Sequence, residues 1–174
     1  MLSIFFRSSS VNASFLENLE KMLSVVHQRS IEQKIHKIDK ELRSIYKQGP
    51  KFLVEPINHV FSASGKRIRP LLTLFTAKTF GCDIRKALNA AVSIEILHNF
   101  TLVHDDIMDK DKLRHGKETL NIRWNNDIAL LAGDAMLSLA LMKLNKYSES
   151  KELFTTFIDG LLAVCEGQAL DKEF

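Results

Sequence analysis

The chain has 174 residues, 45% of them hydrophobic, with only seven glycines and three prolines. This composition supports one domain with a real core and excludes a disordered or low-complexity chain. The net charge of +3 comes without basic residues interleaved with aromatic ones, which argues against a nucleic-acid partner, and no uncharged apolar run approaches the roughly 18 residues needed to cross a membrane.

The N-terminal segment, residues 1–21, is interpreted as an extension that is disordered or that precedes a true start at Met22. Its first part resembles a transit peptide only weakly, because it contains a single arginine, Arg7. From 22 to 47, apolar residues recur mostly every three or four positions, which predicts a helix. Gln48, Gly49 and Pro50 end that helix, and a short second helix is predicted over 51–62.

Helical periodicity continues beyond a loop at 62–65, and no convincing β alternation interrupts it. Pro70 suits the first turn of a third helix, which runs to Phe80 and is stopped by Gly81. Asp83 is a suitable N-cap for a long helix of about 84–110. The sequence therefore predicts an all-α fold.

The remaining chain is predicted to contain a charged loop and two more helices. The loop runs from Lys112 to Glu118 and contains Gly116. Asn126 or Asp127 would cap the next helix, which continues to about 145. The last helix starts near 148–150 and has no stop signal, so we expect the chain to be a fragment.

The long helix carries an aspartate cluster, Asp105, Asp106 and Asp109. On a helix, Asp105 and Asp109 project to the same side, about 6 Å apart along the axis, and repel each other unless a cation lies between them. Mg²⁺ prefers one or two carboxylates together with substrate phosphates. A bare cluster of this kind is more often a solvated helix end, but the surrounding residues favour a Mg²⁺ site.

Those surroundings are basic. Lys66, Arg67 and Arg69 follow Gly65 at a helix start, where backbone N–H groups favour an anion. His98 is expected on the same helix face as the aspartates, together with Glu95 and Leu102. Taken singly, the basic segment is typical of a solvated loop, and His98 is typical of a core residue.

Together these segments resemble the trans-isoprenyl diphosphate synthase (polyprenyl synthetase) family over about residues 30–174. GKRIRP (65–70) is similar to the family's GGKRxRP element, and EILHNFTLVHDDIMDKDKLRHGK (95–117) to its first aspartate-rich region. LAGDAML (131–137) and EGQALD (166–171) match two further signatures. Residues 22–174 thus resemble the N-terminal half of such a domain.

The resemblance implies a helical bundle around a deep cavity, a homodimer, and condensation of isopentenyl diphosphate with an allylic diphosphate. Asp105 and Asp109 would bind Mg²⁺, with Asp106 in a supporting catalytic role. The residues implied for isopentenyl diphosphate are Lys66, Arg69, His98 and His115. Those implied for the allylic diphosphate are Arg114, Gln168 and Asp171.

The sequence departs from the family pattern at three points. Ser64 replaces a glycine, His115 replaces an arginine, and the second aspartate-rich motif is absent. We therefore expect the chain to be inactive alone. A non-catalytic subunit of a prenyl synthase and a terpene cyclase are the alternatives, although a cyclase has no need of the GKRIRP segment. The two cysteines form no metal-ligand spacing and fit a reducing, cytoplasmic location.

Product length is expected to depend on Phe100 and Thr101, which precede Asp105 by about one helical turn. In the family, a bulky aromatic residue at this position is typical of synthases that make short products. Phe100 would be the floor of the prenyl tunnel, and Thr101 is modest in size. This predicts geranylgeranyl diphosphate, with farnesyl diphosphate next; the alternative is that Phe100 is core packing.

Overall fold

The computed structural model describes residues 13–63, 65–147 and 150–173, without the side chains of 13–21 and 23–27. The chain divides into two compact units, residues 1–37 and 38–174, and the second contains every candidate site residue. The described helices are α1 (Ala13–Arg43), α2 (Lys51–Phe61), α3 (Ile68–Thr79), α4 (Ile84–Asp109), α5 (Leu120–Arg123), α6 (Asn126–Leu144) and α7 (Lys151–Glu173). A hairpin of β1 (Leu113–Arg114) and β2 (Lys117–Glu118) follows α4, and a 3₁₀ turn (Asn145–Tyr147) follows α6. The all-α prediction is confirmed.

Helix α1 differs from its predicted bounds at both ends. It begins at Ala13 rather than at 22, and it ends at Arg43 rather than at 47. Residues 13–21 include one alanine, two leucines and two glutamates, which favour helix even where the apolar pattern is irregular. The predicted N-terminal extension otherwise falls on residues 1–12, which lie outside the described residues.

Helix α4 is the centre of the core and packs against α3 and α6. Its side chains Val92 and Ile96 are fully buried. Small buried residues on α6 permit a close approach of the two helices, because the distance between helix axes depends on side-chain size at the contact. They are Ala129, Ala132, Gly133 and Ala140. This packing fixes the helix that carries the aspartates.

Side-chain caps begin both of these helices. Asp83 accepts a hydrogen bond from the backbone N–H of Arg85 at 2.8 Å, as predicted for α4. The prediction for α6 was wrong by one or two residues. Asn125 is the cap, because its backbone is extended and its Oδ1 accepts from the N–H of Ile128 at 2.9 Å.

The predicted charged loop after α4 contains a tight hairpin. His115 and Gly116 form its turn with φ values of 51° and 76°. Two-residue hairpin turns of this handedness match the natural twist of the strands, and they require positive φ at both positions. The turn thus holds the two flanking residues, Arg114 and Lys117, opposite each other. The short helix α5 that follows was not predicted.

Helix α7 lies on the outside of this core. It begins at Lys151, close to the predicted start, and Phe157 is its buried residue. Among the described helices it is long and apolar enough to cross a membrane by length and composition, a test that soluble core helices also pass. The expectation of no transmembrane segment stays a prediction.

Candidate active site

Arg67 anchors the loop between α2 and α3 from a buried position. It has a left-handed backbone conformation, with φ 49° and ψ 37°, which is uncommon for residues other than glycine. Its guanidinium donates to Asp39 at 2.8 Å, to Glu95 at 2.8 Å and to the backbone oxygen of Ala63 at 2.9 Å. Glu95 is also buried. Arg67 is therefore committed to the fold and not to a bound anion.

Two other basic residues of this segment, Lys66 and Arg69, are not used in such buried ion pairs within the described part of the chain and can meet a bound anion. Lys66 and Arg69 are exposed and line a cavity of about 520 Å³, with His98 of α4 and His115 of the hairpin. Arg69 Nη1 lies 3.2 Å from His98 Nε2. Burial, and then the charge of Arg69, lower the pKa of His98, so its neutral ring accepts this hydrogen bond. We call the cavity that these four residues line the cationic cavity.

Arg114 turns away from that cavity toward a buried carboxylate. Its Nε and Nη2 donate to Oδ1 of Asp106 at 2.8 and 2.5 Å, and Nη2 reaches Asp111 at 3.1 Å. Burial raises the pKa of Asp106, and the hydrogen bond from Arg114 opposes that rise. Asp106 therefore ties the hairpin to α4, and its side chain is separated from the other two aspartates of the motif.

Asp105 and Asp109 instead meet α7. Gln168 Nε2 donates to Oδ1 of Asp105 at 2.8 Å, and Lys172 Nζ lies 2.5 Å from Oδ1 of Asp109. Burial, and then the negative charge of Asp109, raise the pKa of Asp105. The i, i+4 spacing predicted this carboxylate pair, and the structure aligns it with a second i, i+4 pair on α7.

Lys172 is the site residue that sequence reasoning missed. The hydrogen bond to Asp109 raises the pKa of the Lys172 ammonium. Lys172 follows Gln168 by four residues, as Asp109 follows Asp105. This shared spacing is the sequence signal that could have identified Lys172. The predicted residue Asp171 is exposed beside Lys172.

An apolar pocket begins at Asp105 and extends between α4 and α7. Its volume is about 310 Å³. Helix α4 contributes Phe100, Thr101 and His104 to its wall, so both residues predicted to limit product length line this pocket. The α7 residues of its wall are Val164, Cys165, Gln168, Ala169 and Lys172. We call it the tail pocket.

A second apolar cavity, of about 740 Å³, lies further toward the N-terminus of α4. Ile94 and Leu97 of α4 line it, as do Leu153 and Phe157 of α7. Phe100 lines the tail pocket but not this second cavity, and in sequence it falls between these α4 positions and Asp105. The Phe100 ring is itself buried. We call this second space the lower cavity.

The oxygen donors of the Asp105–Asp109 pair are of the kind that binds a magnesium ion. Two hard oxygen donors with like charge suit Mg²⁺, which completes its coordination with water and substrate phosphates. Among residues 13–63, 65–147 and 150–173, no group of three or more His, Cys, Asp or Glu side chains is assembled to hold a metal. Asp105 and Asp109 therefore provide only part of a coordination sphere.

Comparison with known proteins confirms the family resemblance. Residues 50–174 match the sequence model of a family described as polyprenyl synthetase. A geranylgeranyl diphosphate synthase from Saccharolobus solfataricus is 38% identical over 146 residues, which are 80% of this chain and 44% of that protein. A short chain isoprenyl diphosphate synthase from Methanocaldococcus jannaschii is 39% identical over 143 residues, 80% of this chain and 43% of that protein.

Solved structures give the same correspondence. A geranylgeranyl pyrophosphate synthetase from Pyrococcus horikoshii superimposes with a TM-score of 0.78 at 34% identity, covering 85% of this chain and 48% of that chain. A geranylgeranyl pyrophosphate synthase from Geoglobus acetivorans gives a TM-score of 0.76 at 35% identity, covering 83% and 49%. The chain spans about half the length of the relatives it matches.

Proposed function

Because the chain belongs to the polyprenyl synthetase family, we propose that it carries substrate-binding residues of a prenyltransferase that condenses isopentenyl diphosphate with an allylic diphosphate. The observation that carries this proposal is the arrangement along α4, where the Asp105–Asp109 pair adjoins an apolar pocket and the cationic cavity opens nearby. Such an arrangement suits two diphosphates, one of which has a long hydrocarbon tail.

The allylic diphosphate occupies the side of α4 that faces α7. Its head group lies at Asp105 and Asp109, which would hold Mg²⁺, and Gln168 orients Asp105 through the 2.8 Å hydrogen bond. When bound, Mg²⁺ supplies Lewis-acid neutralisation of the leaving diphosphate. The tail enters the tail pocket, where apolar burial contributes about 25 cal/mol per Å². The family resemblance also assigns Asp171 and Arg114, which here donates to Asp106, to this head-group site.

Isopentenyl diphosphate occupies the cationic cavity. Lys66 and Arg69 contribute permanent positive charge, and Arg69 has the planar donor geometry that grips phosphate. His98 holds Arg69 in place, since its neutral ring accepts a hydrogen bond from that guanidinium. His115 lines the same cavity, and its imidazole lacks the planar donor fork of the arginine usual in the family.

Condensation then requires little covalent chemistry from the protein. The allylic carbon–oxygen bond breaks with its electron pair leaving on the diphosphate, the isopentenyl double bond attacks the resulting cation, and the new cation gives a proton to the released diphosphate. The apolar wall formed by Phe100, Thr101 and Met108 excludes water that would otherwise capture the cation. Preorganised charge at the two head-group sites lowers the barrier for diphosphate departure.

Geranylgeranyl diphosphate is the proposed product. Relatives from Saccharolobus solfataricus and Methanosarcina mazei that carry this name are each 38% identical to the chain. The buried ring of Phe100 in the wall of the tail pocket also supports a tunnel of limited length. Farnesyl diphosphate is the nearest alternative.

Two other functions remain as alternatives. A non-catalytic subunit is favoured by His115, which replaces the arginine usual in the family. The intact Asp105–Asp109 pair opposes it. A terpene cyclase is opposed by the cationic cavity, for which a single-substrate enzyme has no use.

The proposal includes a homodimer in the cytoplasm. Exposed apolar side chains on the outer helices support self-association; they include Leu130, Leu131 and Met142 of α6 and Ile158 and Leu162 of α7. Cys82 and Cys165 are both free and exposed, which fits a reducing compartment.

Equilibrium binding of geranyl thiolodiphosphate, an unreactive allylic analogue, tests the proposed site. We expect the 174-residue chain to bind it only with Mg²⁺. Asp105→Asn and Asp109→Asn should each weaken binding by about tenfold or more, because a lost charge-assisted contact costs on the order of 1.5–3 kcal/mol.

Asp159→Asn is the matched control, since Asp159 is an exposed carboxylate on α7 outside the site. It should bind the analogue as the parent chain does. Binding that does not need Mg²⁺, or that both site variants retain in full, would overturn the proposed function.

A further inference from the structure

Helix α6 contains a buried glycine, Gly133, in close contact with His104 of α4. A Cβ atom at position 133 would lie 2.6 Å from Cδ2 of His104 and closer still to Nε2. Carbon contacts are normally about 3.5–4.0 Å. The ring of His104 therefore occupies space that any side chain larger than hydrogen at position 133 would need.

In the part of the chain that the structure describes, no hydrogen bond holds Nε2 of the His104 ring in this place. Its Nε2 is buried and has no hydrogen-bond partner among the described residues, the closest carboxylate oxygen being Oδ1 of Asp134 at 3.7 Å. The ring also contacts Phe100, with ring centroids 4.5 Å apart and planes tilted by 58°. Since no hydrogen bond fixes Nε2, a change at position 133 can move the ring.

His104 and Phe100 also share a wall of the tail pocket next to Asp105. We propose that Gly133 is a specificity-determining position that acts through His104: the absence of a side chain on α6 lets the imidazole withdraw from the pocket, and so sets how much prenyl tail fits above Phe100. This inference rests on the proposed function, because the ligand is the hydrocarbon tail of an allylic diphosphate.

The direction of the effect follows from the geometry. A methyl group at position 133 pushes the imidazole away from α6, against Phe100 and into the pocket, so long tails lose room before short ones. Removing the imidazole gives long tails more room, because the space that the ring occupied becomes part of the pocket. With the ring removed, a methyl group at position 133 has nothing to push.

The experiment measures the affinities of the 174-residue chain for geranyl and geranylgeranyl thiolodiphosphate in Mg²⁺, and takes their ratio. In Gly133→Ala the preference for the longer analogue should fall by about tenfold, the equivalent of roughly two buried methylene groups. In His104→Ala it should rise. The double variant Gly133→Ala/His104→Ala should match His104→Ala.

Gly167→Ala is the control, because a Cβ at that helical glycine meets no atom within 4 Å. Helical circular dichroism checks that each variant folds, and if Gly133→Ala does not fold, His104→Ala alone decides. An unchanged ratio in folded Gly133→Ala, an unchanged ratio in His104→Ala, or an effect of Gly133→Ala that persists without the imidazole would overturn the inference. Failure of the parent chain to bind either analogue would instead overturn the proposed function, and this inference with it.

Discussion

Asp105 and Asp106 are adjacent in sequence but have different environments. Successive residues of a helix are rotated by about 100°, so neighbours point to different sides. Asp105 faces α7 and accepts from Gln168, whereas the Asp106 side chain is 6% exposed and pairs with Arg114. The first carboxylate lies at the proposed ligand site, and the second holds the hairpin on the helix.

We predict that the two aspartates differ in their contribution to stability. Asp106→Ala should lower the free energy of unfolding by about 2 kcal/mol, because it leaves Arg114 without its main partner. Asp105→Ala should change it by no more than about 0.5 kcal/mol, since removing one of two repelling carboxylates compensates for the lost hydrogen bond. Urea unfolding of both variants measures the difference, and equal losses would contradict the assignment of Asp106 to the fold.

His115 stands where the family usually has an arginine for isopentenyl diphosphate. Its ring lines the cationic cavity from a turn position with positive φ. His115→Arg should tighten binding of isopentenyl diphosphate by about threefold to tenfold, because a permanently charged guanidinium with a planar donor fork replaces an imidazole that cannot grip phosphate bidentately. Titration calorimetry with isopentenyl diphosphate provides the measurement.

Lys117→Arg is a suitable control for that substitution, because Lys117 lies in the same hairpin and already carries a charge. Affinity for isopentenyl diphosphate that is unchanged or weaker in His115→Arg would mean that position 115 does not meet this substrate.

At the scale of elements, α4 and α7 act together. The contacts Asp105–Gln168 and Asp109–Lys172 have the same sequence separation, so the two helices run in the same direction and in register. Their shared groove contains the tail pocket near the aspartates and the lower cavity near the helix start. The side chains between these spaces decide whether they form one tunnel.

Phe100→Ala should join the tail pocket to the lower cavity. We expect the variant to bind a twenty-five-carbon allylic thiolodiphosphate more tightly than the twenty-carbon one, whereas the parent chain prefers twenty carbons or fewer. The lost ring should also cost about 3 kcal/mol of stability, as for other buried aromatic residues. Binding across a series of tail lengths is the measurement.

Phe80→Ala makes the same truncation at a phenylalanine that is 85% exposed, and it should change neither tail preference nor stability. If Phe100→Ala keeps the parent's preference while still binding diphosphate, Phe100 is core packing and not a floor.

At the scale of the whole molecule, the outer helix α7 is held by few contacts. Phe157 is its buried residue, while Leu162, Val164 and Leu170 are about half exposed. Apolar surface of this kind on one helix favours association with other surfaces. Yet α7 contributes Gln168 and Lys172 to the candidate site, so the geometry of that site depends on a helix that the chain itself covers only on one side.

We predict that the 174-residue chain binds both diphosphates but does not condense them. Its described residues assemble two carboxylates for a metal and no group of three or more metal-ligating side chains. Neutralising a departing diphosphate is the main catalytic task, and a partial coordination sphere does it poorly. Incubation with labelled isopentenyl diphosphate and geranyl diphosphate in Mg²⁺ checks this. Mg²⁺-dependent formation of a labelled longer product would prove the prediction wrong.

Much of this protein follows from its sequence alone. Helical periodicity and cap residues such as Asp83 determined the all-α fold, because both signals are local and repeat with the helical turn. The i, i+4 spacing of Asp105 and Asp109 determined that they share a face, for the same reason. The ordered motifs from GKRIRP to EGQALD identified the family, since their residue types and spacing are specific.

Tertiary structure decided what each charged side chain does. Three basic residues follow Gly65, and only the fold distinguishes buried Arg67, paired with Asp39 and Glu95, from exposed Lys66. The contact of Lys172 with Asp109 and that of Gly133 with His104 likewise join residues distant in sequence. Burial and long-range contact depend on how helices pack, and a pattern that repeats every 3.6 residues contains no information about which other helix lies opposite.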